Sequence, residues 1–200
     1  MAFQPRLVYD TCRMDTSSPR VLSAAVLLGL ALATPADVRF MQGMIAHHAQ
    51  AIEMSGLVPA RNTRNDIRLL AEKIDVSQKD EIAMMQRWLG DHHETVPNPL
   101  APHEHMGAAA HQAMMPGMLT AEQMAALARA KGVAFDRLFL AGMIQHHQGA
   151  LTMVAELFAT PGAGQVSDIF RFASDVDADQ RAEIARMRTL LITLSQGAPK

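Results

Sequence analysis

Two histidine pairs, each flanked by methionines at helical spacing, are the residues of this sequence that are best suited to chemistry. The segment 40–54 reads FMQGMIAHHAQAIEM, and the segment 139–153 reads FLAGMIQHHQGALTM. Imidazole nitrogen is a common ligand of copper and zinc, and thioether sulfur selects soft ions such as Cu(I). The pattern therefore predicts a metal site with these ligands: Met44, His47, His48, Met54, Met143, His146, His147 and Met153.

Helical geometry places both histidines of each pair on an inward face. At roughly 100° per residue, Met44, His47 and His48 fall on one apolar arc of a helix, and Gln42 and Glu53 fall on the opposite side. The second copy has the same arrangement. Because residues three, four and seven positions apart share a helix face, one helix can present two or three ligands.

These pairs belong to a longer internal repeat. Gly-Met-Ile-x-His-His recurs at an offset of 99 residues, and residues 67–89 match residues 169–191 at an offset of 102. The stretches have the 3.6-residue periodicity of amphipathic helices. An Asp precedes each histidine pair at the same distance, and we expect Asp37 and Asp136 to be helix N-caps. The sequence predicts an all-α fold, a four-helix bundle made of two repeated hairpins, with helices near 38–57, 64–89, 137–159 and 165–195.

The second helix of each hairpin carries polar residues and a methionine on its apolar face. Burying a carboxylate or an imidazole without a partner is costly. We therefore expect the glutamates to accept imidazole N–H groups, as the outer partners of metal-binding histidines do. The alternative is a metal-free His–Glu–Gln network that specifies the bundle, with methionine as flexible core filler. The candidates for this outer role, or for weaker ligands, are Gln78, Glu81, Met85, Gln180, Glu183 and Met187.

The connection between the repeats has a different composition. Residues 91–119 contain four prolines, and the capping box TAEQ at 120–123 predicts a short helix over 120–132. Long connections inside a compact bundle are often functional or mobile. We expect this linker to be mobile and to bind ions more weakly than the bundle; the alternative is a solvated tract without a role. Its candidate ligands are His103, His105, Met106, His111, Met114, Met115 and Met118.

An apolar stretch at 21–33 (VLSAAVLLGLALA) follows three arginines and ends in Ala-Leu-Ala. Thirteen residues rise about 20 Å as a helix, which is less than the roughly 30 Å of a membrane core. We interpret residues 1–33 as a cleaved signal peptide, with Met14 as a second candidate start, rather than as an uncleaved anchor or a core helix. Cleavage would remove Cys12, the single cysteine, and leave a thiol-free protein in a periplasmic or other extracytoplasmic compartment.

The composition fits one folded domain behind this signal peptide. The chain has 200 residues, 49% apolar content and a formal net charge of −2, which is enough to build a core and excludes a disordered chain. Because runs of basic residues are missing, a nucleic-acid partner is excluded. The expected boundaries are 1–33 for the signal peptide and 34–195 for the bundle, divided into repeat one (36–90), linker (91–119), short helix (120–132) and repeat two (135–195).

The doubled motif Gly-Met-Ile-x-His-His-x-x-Ala-x-x-Met, together with Met115-Pro-Gly-Met-Leu-Thr, resembles the bacterial "domain of unknown function 305" family over roughly residues 36–195. The resemblance implies a ferritin-like four-helix bundle that is usually exported. Some relatives are implicated in periplasmic copper binding through Met and His, and most have no established activity. Ala46 and Gln145 stand where the family often has Pro, which alters a helix turn but removes no ligand. Iron chemistry is not implied, because di-iron bundles use Glu-x-x-His pairs and the sequence has none.

Three functions are open at this point. The first is a non-enzymatic, exported buffer or chaperone for Cu(I) or Ag(I), which takes copper from or passes it to a copper-handling protein. The second is a metalloenzyme that holds Zn, Mn or Fe with His and Glu and keeps one position for water; the crowding methionines disfavour it. The third is a metal-free structural or interaction module, such as a homo-oligomer.

Overall fold

The computed structural model describes residues 32–62, 64–99 and 115–196, and every secondary-structure element in these ranges is a helix. The all-α prediction is confirmed. The four long predicted helices are present with ends within five residues of the expected ones, whereas the one-turn helix α2 was not predicted. The elements are α1 (Pro35–Gly56), α2 (Val58–Arg61), α3 (Asn65–Asp91), α4 (Ala121–Arg129), α5 (Gly132–Ala159) and α6 (Ser167–Gln196).

The prediction that two aspartates cap the first helix of each hairpin is wrong. Thr34 is the N-cap of α1, and Asp37 is the third helical residue, where its carboxylate accepts the Thr34 N–H at 2.7 Å in a capping box. The other carboxylate oxygen of Asp37 accepts the Gly164 N–H at 2.7 Å, from the turn between α5 and α6. Asp136 is buried inside α5, because that helix already begins at Gly132.

The capping box predicted for the short helix is confirmed. The Thr120 hydroxyl accepts the Gln123 N–H at 3.2 Å, and the Gln123 side chain accepts the Thr120 N–H at 2.8 Å. Both donors belong to the helix start, where the backbone cannot supply acceptors. The helix α4 ends at Arg129, somewhat earlier than expected.

Two antiparallel hairpins make up the bundle: α1 packs on α3, α5 packs on α6, and α1 and α5 pack against each other. The buried apolar residues form two separate clusters. The first apolar cluster includes Phe40, Met44, Met85, Met153 and Phe172. The second apolar cluster includes Met54, Ile74, Phe139, Met143 and Met187. Each long helix contributes residues to both clusters. In the middle of each of these helices, a short stretch separates the residues of one cluster from those of the other.

Some expectations concern residues outside the described ranges. These are the signal peptide apart from its last two residues, with Met14 and Cys12, and most of the histidines and methionines of the linker. Within the described ranges, none of the helices combines the length and the apolarity needed to span a membrane.

Candidate metal centre

The stretches between the two apolar clusters form a band of polar side chains across the middle of the bundle, which we call the polar layer. Each hairpin supplies two histidines from its first helix and a glutamine and a glutamate from its second. All four histidines have no exposed surface, as the helical wheels predict. The polar layer consists of His47, His48, Gln78, Glu81, His146, His147, Gln180 and Glu183.

The second histidine of each pair contacts a glutamate of the same hairpin. His48 Nε2 lies 2.5 Å from Glu81 Oε2, and His147 Nε2 lies 2.8 Å from Glu183 Oε2. Each glutamate therefore lies within hydrogen-bond distance of an imidazole, and its role as the outer partner of a metal-binding histidine stays a prediction. The two pairs differ in exposure, because the Glu81 side chain is 16% exposed and the Glu183 side chain only 5%.

Glu183 has a second partner. Lys73 Nζ lies 3.3 Å from Glu183 Oε1. Burial raises the pKa of Glu183, but the hydrogen bond with His147 and the nearby His147 and Lys73 groups outweigh it, and the net pKa is lowered. Glu183 is therefore a carboxylate at neutral pH and can only accept hydrogen bonds.

The first histidine of each pair takes a backbone partner instead. The rings of His47 and His146 lie against each other, with centroids 3.9 Å apart. His47 Nε2 donates to the Pro116 carbonyl and His146 Nε2 donates to the His47 carbonyl, both at 2.9 Å. A carbonyl oxygen only accepts, so each ring carries a proton on Nε2.

Both of these rings are neutral near pH 7. Burial, reinforced by the neighbouring His48, lowers the pKa of His47 to about 3, although the Pro116 hydrogen bond opposes the shift. Burial and the neighbouring histidines lower the pKa of His146 well below 6.5. With Nε2 protonated and the ring neutral, the lone pair lies on Nδ1 in both residues.

The Nδ1 atoms of all four histidines are buried and have no hydrogen-bond partner among the described residues. Both side-chain amide atoms of Gln78 and the Oε1 atom of Gln180 are also buried without a hydrogen-bond partner among the described residues. Leaving a buried polar atom unpaired costs about 1–3 kcal/mol. A cation bound by imidazole nitrogen would remove part of this cost, so the polar layer is chemically suited to hold a metal ion.

Methionines lie on both sides of the polar layer. One residue of each repeated pair belongs to the first apolar cluster and its repeat mate belongs to the second. This distribution follows from the antiparallel arrangement of the two hairpins. The pairs are Met44 and Met143, Met153 and Met54, and Met85 and Met187, and all six are buried.

Glycines of the repeated motif make room for some of these methionines. A β-carbon on Gly43 would lie 3.4 Å from Met153 Cε and 3.6 Å from Met115 Sδ. A β-carbon on Gly142 would lie 3.2 Å from Met54 Cε. The structure therefore brings Met153 and Met115 together against α1, one turn before His47.

The donor types limit which ion fits. In the part of the chain that the structure describes, no three His, Cys, Asp or Glu side chains converge as they would around a metal. The donors that the polar layer and the flanking methionines offer are imidazole nitrogen and thioether sulfur, a combination that suits a soft ion of low coordination number.

The end of the linker lies on the bundle rather than apart from it, and we call residues 115–119 the crossing segment. Its Pro116 carbonyl accepts the His47 N–H, as described above. Met115 is half-buried and Met118 is buried. For these residues the expectation of a mobile linker is wrong, because backbone contacts with α1 and α5 hold them. His103, His105, Met106, His111 and Met114 lie outside the described residues.

Sequence patterns did not predict the roles of Lys73 and of the Pro116 carbonyl. Backbone atoms leave no signature in residue types, and Pro116 lies 69 residues from His47. The positions at which the two repeats differ could have indicated where the crossing segment packs. Gln50 corresponds to Gly149 at the offset of 99 residues, and both lie against the crossing segment.

Solved structures similar to this chain were found. A DUF305 protein of Streptomyces coelicolor that is taken to be secreted has 30% identity and a TM-score of 0.68, over 80% of this chain and 94% of its own. A DUF305 fragment from Deinococcus radiodurans has 32% identity and a TM-score of 0.65, over 80% and 97%.

A third similar structure is CopM in its Cu(II)-bound form, with 28% identity and a TM-score of 0.61 over 78% of this chain and 96% of CopM. CopM structures with Cu(I) and with Ag are also similar to this chain. No curated protein matches the chain. The domain of unknown function DUF305 matches residues 37–191, and the chain therefore belongs to this family.

Proposed function

We propose that this protein is an exported, non-enzymatic copper-binding protein that holds Cu(I), or Ag(I) in its place, inside the bundle. It would serve as a buffer or chaperone that exchanges the ion with a copper-handling partner. The proposed ligands come from the doubled motif: Met44, His47, His48, Met54, Met143, His146, His147 and Met153.

The observation that carries this proposal is the set of four buried imidazoles whose Nδ1 atoms have no partner among the described residues. Two of these rings are neutral and present a lone pair, which is the form that binds a metal. Thioether sulfur flanks the polar layer on both sides, which favours a soft monovalent ion over Zn²⁺ or Mg²⁺.

The relatives support the choice of ion. CopM, at 28% identity, has been solved with Cu(II) and with Cu(I), and at 26% identity with Ag. Export is supported by the apolar stretch at 21–33 and by the Streptomyces coelicolor relative. The proposed signal peptide, bundle and repeat boundaries are those of the sequence analysis.

The test is a titration of the metal-free protein with Ag(I), and with Cu(I) against a competing chelator. We expect tight binding by the wild type, and a loss of at least about tenfold in affinity for His47→Gln with His146→Gln. These substitutions keep an N–H for the two carbonyl acceptors and remove the nitrogen lone pair. The matched control is His92→Gln with His93→Gln, an adjacent histidine pair outside the polar layer, which should bind like the wild type.

Each outcome favours one function. Equal affinity of the wild type and the polar-layer variant would end the copper proposal. Elemental analysis after expression in mixed metals would favour the metalloenzyme if Zn, Mn or Fe exceeded copper. If none of these ions binds or raises the melting temperature, the metal-free interaction module is the better explanation.

A further inference from the structure

The crossing segment contacts the helices through positions at which the two repeats differ. In the first repeat, Gln50 exchanges two hydrogen bonds with Leu119: its Nε2 donates to the carbonyl at 3.0 Å and its Oε1 accepts the N–H at 2.7 Å. In the second repeat, Gln145 Nε2 donates to the carbonyl groups of Gly117 and Met118 at 3.4 and 3.3 Å. Its repeat mate is Ala46, which has no such donor.

The third contact joins backbone to backbone. A β-carbon on Gly149, the repeat mate of Gln50, would lie only 1.8 Å from the Pro116 carbonyl oxygen. Gly117 has a positive φ of 76°, and its own β-carbon would lie 2.4 Å from the Gln145 carbonyl oxygen. Glycine is a poor helix former, so its presence within α5 is explained by this close approach.

These contacts place one backbone carbonyl against the polar layer. They hold the Pro116 carbonyl 2.9 Å from His47 Nε2, in a region where His47 has no exposed surface. The carbonyl can only accept, so it selects the His47 tautomer that carries the proton on Nε2 and the lone pair on Nδ1.

We propose that the crossing segment is a positioning element of the metal centre, and that it acts through the Pro116 carbonyl by fixing the tautomer and orientation of His47. Gln50, Gln145, Gly117 and Gly149 are positioning residues that hold this segment in place. The consequence for metal affinity rests on the proposed function, whereas the consequence for the tautomer does not.

The first measurement is the tautomer of His47 by ¹⁵N NMR of the metal-free protein. We expect one Nε2–H tautomer in the wild type and a mixture in Gly149→Ala, whose β-carbon displaces the Pro116 carbonyl. Pro116→Ala keeps the carbonyl and should keep the single tautomer. The matched control is Gly90→Ala, because a β-carbon there meets no atom of the described residues within 4 Å.

A second variant distinguishes the loss of the contact from misfolding caused by an added β-carbon. Gln50→Ala with Gln145→Ala loosens the crossing segment without adding an atom to the contact, and should also give mixed tautomers. Exchange of the Leu119 amide shows whether the crossing segment has been released, because this amide donates to Gln50 in the wild type. If the amide exchanges freely in this variant and in Gly149→Ala, and His47 still has a single Nε2–H tautomer in both, the proposal is wrong.

The second measurement compares Ag(I) affinity in two backgrounds. Gly149→Ala should weaken binding by about tenfold or more, as the loss of a partner that orients a ligand does. In the His47→Gln background it should have no further effect, since the residue through which the segment acts no longer supplies a lone pair. An equal loss in both backgrounds would contradict the proposal. If the wild type does not bind Ag(I), the proposed function fails and the NMR result alone decides the role of the segment.

Discussion

Within each histidine pair, the two neighbouring residues take partners of different chemical kinds. The first ring donates to a backbone carbonyl, and the second contacts a glutamate. For the two rings that donate to a carbonyl, burial lowers the pKa, although the hydrogen bond to the carbonyl opposes the shift. The lowered pKa values of His47 and His146 determine how the metal-free protein should behave in acid.

The metal-free protein should lose stability as the pH falls below about 6.5. In the unfolded chain His47 and His146 titrate near 6.5, whereas in the folded protein the pKa of His47 is about 3 and that of His146 is also lowered. Between these values the unfolded state binds more protons, so the free energy of unfolding decreases as the pH falls. The lowered pKa of Glu183 adds to the loss below its unfolded value of 4.5.

Urea unfolding from pH 7 to pH 4 measures this effect. Near pH 5 the slope should correspond to an uptake of about two protons on unfolding from these two histidines. His146→Gln should reduce that uptake by about one. A stability that is constant from pH 7 to pH 4 would mean that both rings can accept protons in the folded state.

At the scale of helices, the repeat and its periodicity predicted the four long helices. Each of these helices buries one face, and the buried face produces the 3.6-residue periodicity of apolar residues in the sequence. The helix starts were less predictable. Asp37 and Asp136 occupy equivalent positions in sequence, yet one lies in the first turn of α1 and the other lies inside α5. The residues before them decide this: Thr34 and Pro35 start α1, whereas residues 132–135 continue α5 toward the N-terminus.

Asp37→Ala should destabilise the protein by about 2–3 kcal/mol, more than the loss of an ordinary helix cap. Its carboxylate accepts the Thr34 N–H and hydroxyl and also the Gly164 N–H, so it connects the start of α1 to the turn between α5 and α6. Thermal unfolding measures the change. Asp66→Ala is the comparison, since this aspartate is in the first turn of α3 but pairs with Arg64 near the surface. It should cost about 1 kcal/mol or less, and equal costs would show that the Gly164 contact adds nothing.

At the scale of the whole molecule, the polar layer touches all four long helices and separates two apolar clusters. Helical wheels predicted which side chains are buried, because the apolar arcs of α1, α3, α5 and α6 were evident. They could not predict the crossing segment, whose docking depends on backbone atoms and on contacts between residues far apart in sequence. An ion bound in the layer would contact several helices at once and stabilise the fold as a unit.

Ag(I) should therefore raise the melting temperature of the entire bundle in one transition. At a free ion concentration of 100 times the Kd, binding adds about 2.7 kcal/mol, which is roughly 5–10 °C for a domain of this size. Calorimetry with and without Ag(I) measures the shift, and the variant His47→Gln with His146→Gln should show little of it. A shift of the same size in that variant would place the ion elsewhere.

The polar layer also sets the alignment of the helices along their axes. Sliding α1 by one turn, about 5.4 Å, would separate His48 from Glu81 and move both histidines among the side chains of an apolar cluster. An apolar core of methionine, leucine and isoleucine would tolerate such a slip, because these side chains repack with little loss. With buried imidazoles and carboxylates, a slipped arrangement leaves several polar groups unpaired at once, so we expect a single register for the bundle.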